Sequence, residues 1–198
     1  VCTPTTDTVQ INIAEPVNVF AGNDETICET QLSYPLSGAT ASFYSSLLWT
    51  TSGTGTFSDA TIQNPDYTPS AADIASGSVI LSLTGFGNSQ CADSTDSMVL
   101  NISLQATVNA GPDSEICETQ GAYSLASAAA TNYSSLQWTT SGTGTFSDPL
   151  TLNPVYSPSV ADILNGNVTL TLTAFSFTAC SDVTDVMVLT ITRQAIAY

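Results

Sequence analysis

The stretch YSSLLWTTSGTGTFSD, Tyr44 to Asp59, returns as YSSLQWTTSGTGTFSD at Tyr133 to Asp148, a shift of 89 residues (133 − 44). The same shift carries Cys2 to Cys91 and Cys91 to Cys180, Cys28 to Cys117, Asp7 to Asp96 to Asp185, and Asn64-Pro65 to Asn153-Pro154. A fixed period of this size marks a tandem array in which each period is one structural unit. From Ala21 onward two copies align without a gap and agree at about half their positions, and residues 1–20 match the end of a preceding copy. The expected organisation is therefore the final strand of a preceding repeat over 1–15, one repeat over 16–104 and a second over 105–198, a window on a longer array.

Within each repeat the apolar residues alternate with polar ones. Leu32, Tyr34 and Leu36 alternate with Ser33, Pro35 and Ser37, and Val79, Leu81 and Leu83 with Ser78, Ile80 and Ser82, the period of strands with one wet face. The two copies settle the facing of the central stretch: Leu48 becomes Gln137 while Leu47/Leu136 and Trp49/Trp138 stay apolar, so Leu47 and Trp49 face inward. Gly22 is expected to kink the first strand, Ser52 to Gly55 is a turn, and Thr5 or Thr6 to Ile13 reads as a closing strand. Ser70 with Asp73, and Ser159 with Asp162, fit a capping box for a single helical turn ended by Gly77 or Gly166. About seven short strands, a buried Trp on the third and no long helix specify an all-β fold of tandem immunoglobulin-like antiparallel sandwiches, about 89 residues per repeat.

Charge narrows the partners. Seventeen acidic residues face the single Arg193, with no Lys and no His, for a net charge of −16. Nucleic acid and anionic membranes are bound through Lys and Arg, so neither is an expected partner. No apolar run reaches the length of a membrane span, and no membrane insertion is expected in this segment. Without His or Lys there is no Ser-His or Ser-Lys nucleophile, so an enzyme is not expected. The 42% hydrophobic content and the strand pattern argue against disorder.

The repeat segments AGNDETIC and AGPDSEIC, the Trp strand, the YTPSAADI and YSPSVADI turns and the closing CADSTDSMVLNI resemble PKD-like and Ig-like repeats of very large surface adhesins of Bacteroidota. Some proteins of that kind are exported by type IX secretion and serve gliding or attachment. The resemblance implies a cell-surface, fibre-forming or adhesive protein. It also gives the O-glycan reading of Asp7-Thr8-Val9, Asp93-Ser94-Thr95 and Asp96-Ser97-Met98, which look like the Asp-Ser/Thr-apolar sequon used in Bacteroidota, with Thr8, Ser94 and Ser97 as acceptors. Asn101, Asn132 and Asn167 meet the N-glycan sequon, a pattern that Ser/Thr-rich sequences also reach by chance.

Five cysteines at repeat positions, without His or CxxC, read as disulfides in an oxidising compartment, hence an extracellular or cell-surface location. In an immunoglobulin-like sandwich the turn after the first strand and the turn before the last lie at opposite poles, roughly 20 Å or more apart and beyond disulfide reach. That favours an inter-repeat bond between Cys28 and Cys180, with Cys91, Cys117 and Cys2 bonded to units outside this window or reduced at its cut ends. Bonds within a repeat, Cys28 to Cys91 and Cys117 to Cys180, remain the alternative, as small secreted domains commonly carry one.

No cofactor is expected. Calcium is the ion to consider, with Asp24, Glu29, Asp113, Asp182 and Asp185 in oxygen-rich turns, although no DxDxDG spacing is present. The expected function is the shaft of an extracellular fibre or adhesin, a rigid array stiffened by disulfides, whose partners are neighbouring repeats. The alternatives are repeats that themselves bind a surface glycan or protein ligand, or a filament subunit that adds its leading strand to a neighbour's sheet.

Overall fold

Strands of two to ten residues with one apolar face must stack two sheets to bury that face. The computed structural model, which describes residues 4–11, 13–88 and 90–194, has this architecture in both copies. The first runs β1 (Asn18–Phe20), β2 (Glu25–Cys28), β3 (Tyr34–Pro35), β4 (Thr40–Ser42), β5 (Ser46–Thr51), β6 (Thr56–Phe57), β7 (Asp66–Thr68), α1 (Ala71–Ser76), β8 (Ser78–Phe86) and β9 (Ser94–Ser103). β2, β9, β8 and β5 form one sheet in that order; β3, β7 and β6 form another, and β1 pairs with β4.

The second copy repeats this with β10 (Thr107–Asn109), β11 (Ser114–Cys117), β12 (Tyr123–Ser124), β13 (Ala129–Thr131), β14 (Ser135–Thr140), β15 (Thr145–Phe146), β16 (Val155–Ser157), α2 (Val160–Asn165), β17 (Asn167–Phe175) and β18 (Val183–Thr192). Its sheets are β11-β18-β17-β14, β12-β16-β15 and β10-β13. β11 runs parallel to β18, with Ile116 opposite Ile191, whereas β17 is antiparallel to both of its neighbours. The opening strand is thus divided between two sheets. It crosses over at Gly22 (φ 107°) and Gly111 (φ 94°), a backbone state that a Cβ disfavours.

By compactness the chain forms two units, Val1–Glu25 with Leu32–Asn101, and Thr26–Gln31 with Ile102–Tyr198. Residues 26–31, in the first repeat by sequence, therefore belong with the second unit. The bonds of Cys28 and Glu29 described below account for this.

The core follows the alternation. Leu47 and Trp49 are buried and Leu48 between them is 37% exposed. Trp49 packs on Phe57 with ring centroids 5.9 Å apart, and Phe57 on Tyr67 at 5.0 Å; Trp138, Phe146 and Tyr156 repeat the stack at 6.0 and 5.0 Å. Each indole N–H donates to a loop carbonyl, of Gln63 or Leu152, at 3.2 Å, so the Trp buries no unmet donor. Six residues make too short a helix to persist alone. α1 and α2 are closed by Ser70 and Ser159 with full capping boxes, and end on Gly77 and Gly166 in the left-handed conformation.

Two stretches differ from the sequence pattern. Residues 4–11 and 13–17 lie outside any strand, with Val9, Ile11 and Ile13 exposed. A strand requires a neighbour presenting free amides and carbonyls. The closing strands β9 and β18 find it in β8 and β17 of their own repeats, and no described strand pairs with residues 5–11 or 13. Leu32, read in phase with Tyr34 and Leu36, is 86% exposed, because regular pairing in that stretch begins only at Tyr34.

The repeated SGTG turn has a steric cause. A Cβ on Gly53 or Gly142 would collide with Oδ1 of Asp73 or Asp162, and one on Gly55 or Gly144 with the hydroxyl of Tyr67 or Tyr156. Gly53→Ala and Gly142→Ala are each expected to cost about 1–3 kcal/mol, read from urea unfolding midpoints; an unchanged midpoint would show that the turn moves aside. Phe43, exposed and at φ 60°, occupies a left-handed position filled by Asn132 (φ 54°) in the second repeat. Asn tolerates this backbone and a bulky side chain does not, so Phe43→Asn is expected to gain about 1 kcal/mol in the same assay.

Candidate functional site

Two constructions carry most of the polar chemistry. The first is a buried carboxylate in each repeat. Asp73 and Asp162 are both fully buried at the start of their helices. The Tyr67 hydroxyl donates to Asp73 Oδ2 at 2.9 Å, the Thr54 amide to Oδ1 at 2.9 Å and the Ser70 amide to Oδ2 at 2.9 Å. Asp162 receives the Tyr156 hydroxyl at 2.8 Å and the amides of Thr143, Gly144 and Ser159 at 3.0, 2.9 and 2.9 Å. Among the described residues no buried side-chain nitrogen or oxygen is left unpaired.

Burial pushes the Asp73 carboxyl up, but the amides of Ser70 and Thr54 and the Tyr67 hydroxyl outweigh it and hold the group below its ordinary value. Asp162 is lowered in the same way by Ser159, Thr143 and Tyr156. Burial raises both tyrosines, Tyr156 from 10.0 to about 12, and the adjoining carboxylates add to it.

The second construction is the bond between Cys28 and Cys180, with Cα atoms 4.9 Å apart and 152 residues between them in sequence. Cys28 ends β2, and Cys180 lies in the turn before β18. Around the bond, the Glu29 amide donates to Ser103 O at 2.9 Å, and the Gln105 amide to Glu29 Oε1 at 2.8 Å. The Gln105 side-chain amide then donates to Ser181 O at 2.7 Å and Ser176 Oγ at 3.2 Å. With Cys28 so bonded, the within-repeat pairings Cys28–Cys91 and Cys117–Cys180 do not form. Cys91 and Cys117 carry free thiols, and Cys2 lies outside the described residues.

The residues considered for calcium are each taken by a main-chain amide. Val99 donates to Asp24, Val188 to Asp113 and Ala110 to Asp185, each at 2.8 Å or less; Gln105 donates to Glu29 at 2.8 Å and Ser176 to Asp182 at 2.9 Å. No three Asp, Glu or Cys side chains gather into a metal-binding group among the described residues. Thr8 is exposed outside any strand, Ser94 is half-buried at the start of β9, and Ser97 is exposed on β9 with its Oγ 2.8 Å from that of Ser82.

Sequence reasoning found the capping boxes and missed that Tyr67 and the SGTG amides complete them. It also missed the carboxylate–amide clasps and Gln105. The signal was present: Asp24 and Asp96 recur as Asp113 and Asp185, in both copies opposite amides that also recur, Val99/Val188 and Ala21/Ala110.

The fold and these features define a class, the tandem immunoglobulin-like β-sandwich. No family model matches the sequence, and no curated protein does. Solved structures do. Immunoglobulin domains 1–5 of Sidekick-1 superpose with a TM-score of 0.58 at 16% identity, over 91% of this chain and 40% of that one. Extracellular domains 3–5 of Drosophila OTK give 0.56 at 10%, over 90% and 63%. Titin domains I67–I69 give 0.51 at 11%, over 92% and 67%. At these identities the likeness establishes the fold alone, and the chain spans half or less of the Sidekick-1 structures it matches.

A depressed carboxyl pKa stabilises the fold above the unfolded value near 4, and this is lost as the pH falls through the lower folded value. The raised phenols act at the other end: their contribution is complete below 10.0 and lost as the pH rises toward about 12. Asp162→Asn is expected to cost on the order of 3 kcal/mol at neutral pH, with the deficit shrinking below about pH 4. Unfolding followed from pH 7 to 2 measures this, and a deficit independent of pH would mean that the carboxylate's charge contributes nothing.

Proposed function

We propose that this chain is a segment of a non-enzymatic extracellular shaft, part of a surface fibre or adhesin of the kind built from PKD-like and Ig-like repeats in Bacteroidota. Its task on this reading is mechanical: to hold a distal element away from a surface without bending or being cut. The observation that carries the proposal is the bond from Cys28, in the first repeat by sequence, to Cys180 in the second. Cys28 ends β2, a strand of the first repeat's four-stranded sheet, although residues 26–31 group with the second unit. On this reading the bond fastens the end of that strand and so limits the motion that short linkers otherwise allow.

Other features suit the same use. A disulfide persists in oxidising surroundings, which fits export. Closing a loop of 152 residues is worth about 5 kcal/mol in the chain-entropy account. A single basic residue, Arg193, leaves trypsin-like proteases one site in the whole sequence. No helix among the described residues is long and apolar enough to cross a membrane.

Small-angle X-ray scattering on the chain and on Cys28→Ser/Cys180→Ser tests the reading. The parent is expected to scatter as one stiff body, and the variant as a broader distribution of dimensions with both sandwiches still folded by circular dichroism. Identical scattering would remove the mechanical argument. Glycan-array or protein binding by the parent would then favour an adhesive module.

A further inference from the structure

Cys91 and Cys117 are the two free thiols among the described cysteines, one half-buried and one exposed. They are not unrelated. Cys117 is the 89-residue counterpart of Cys28, and Cys91, like Cys2, the counterpart of Cys180, so each free thiol is one half of a bridge of the kind that Cys28 and Cys180 complete. We propose that Cys117 of one copy bonds to Cys91 of a second copy, head to tail, through the same kind of bridge that joins Cys28 to Cys180.

The surroundings of each thiol reproduce those of the formed bond. At the Cys117 end, Glu118 Oε1 accepts the Gln194 amide at 2.9 Å, as Glu29 Oε1 accepts that of Gln105 at 2.8 Å. At the Cys91 end, the amide of Cys91 donates to Asn88 O at 3.0 Å and that of Cys180 to Phe177 O at 2.9 Å, the same turn. Asp93 clasps the Gly87 amide at 2.8 Å where Asp182 clasps that of Ser176 at 2.9 Å. The sulfur of Cys91 donates to Glu15 O at 3.3 Å, and that of Cys180 lies 3.5 Å from Ser103 O, so each sits against the residues that lead into its own repeat. The Thr119 hydroxyl donates to Cys117 Sγ at 3.3 Å and holds that thiol below its ordinary value, which favours the attacking thiolate.

The chemistry is thiol–disulfide exchange with a small disulfide, oxidised glutathione. The Cys117 thiolate attacks one glutathione sulfur, breaks its S–S bond and expels one glutathione thiolate. The Cys91 thiolate of the second copy then attacks the Cys117 sulfur and expels the second glutathione thiolate. Two protein thiols are oxidised, one glutathione disulfide is reduced to two thiols, and the two thiol protons end on glutathione. Because the two partners are different surfaces, the link does not close on itself and grows into an open chain.

The inference deepens the shaft reading and rests on it for an oxidising compartment. To test it, the 198-residue chain carrying Cys2→Ser, so that Cys2 cannot compete with its counterpart Cys91, is held folded in a glutathione redox buffer. It is then resolved on non-reducing gels and mapped by mass spectrometry. A ladder of multiples is expected, with the Cys117–Cys91 peptide at least about tenfold over either symmetric link, a preference of about 1.4 kcal/mol. In the same background, Cys91→Ser and Cys117→Ser proteins should each stay monomeric alone and give only a dimer when mixed. No ladder, or symmetric Cys117–Cys117 dimers as abundant as the mixed ones, overturns the inference. A ladder with scattering unchanged by loss of the Cys28–Cys180 bond would keep this inference and remove the shaft. The reverse pair of results would do the opposite.

Discussion

The buried carboxylate of each repeat is the interaction on which the sandwich depends. Asp73 lies where three pieces of chain converge: the turn leaving β5, Tyr67 on β7, and the start of α1. β5 belongs to one sheet and β7 to the other, so the group ties the two layers at one end of the sandwich. An ionised carboxyl deprived of water is tolerated only with its lone pairs filled. All the donors must therefore be present together. That is why the identity between the copies is greatest over SGTGTFSD and persists in the Ser-x-x-Asp of the helix start: the glycines make room, the amides and the tyrosine donate, and the serine closes the cap.

The same chemistry recurs at the strand ends and explains a composition that otherwise looks unbalanced. A chain with one cation can make few ion pairs, yet its acids are not idle. In the first repeat Asp24, Glu29, Asp93 and Asp96 accept the amides of Val99, Gln105, Gly87 and Ala21. In the second, Asp113, Glu118, Asp182 and Asp185 do the same for Val188, Gln194, Ser176 and Ala110. Six of these amides lie one or two residues beyond a strand end, and those of Val99 and Val188 lie within β9 and β18, the latter one residue before the pairing of β18 with β11 begins. A carboxylate is a strong acceptor for a backbone N–H and needs no lysine to make the contact. The acids are thus fasteners for irregular backbone before they are a solubilising shell.

Much of this could be read in the sequence because the repeat serves as an internal comparison. Leu48 set against Gln137 identified the outer face of the Trp strand, and Ser70/Asp73 set against Ser159/Asp162 identified the helix starts. What stayed hidden were contacts distant in sequence. Asp96 and Ala21 stand 75 residues apart, and no local pattern says that one clasps the other. Acidic residues in turns suggest calcium on composition alone, and only their separate placement against amides shows another use. Leu32 and the described residues of 5–13 share one lesson: alternation marks residues able to form a strand, whereas a strand exists only where a neighbour pairs with it.

The residues at which the copies differ separate what is general from what is particular. Gln105, whose side chain bonds Ser176 Oγ and Ser181 O, corresponds to Pro16, and Ser176 corresponds to Gly87. A proline carries no amide side chain and a glycine no hydroxyl, so donor and acceptor are absent together from the earlier pair of positions. The cysteines, by contrast, recur at every corresponding position the sequence contains. The side-chain bonds of Gln105 are therefore a local embellishment that one copy has and another lacks, while the carboxylate–amide clasps and the thiol pattern are common to the repeats. A feature kept in register through about 50% divergence between copies is what an array would need if each new repeat were to be fastened like the last.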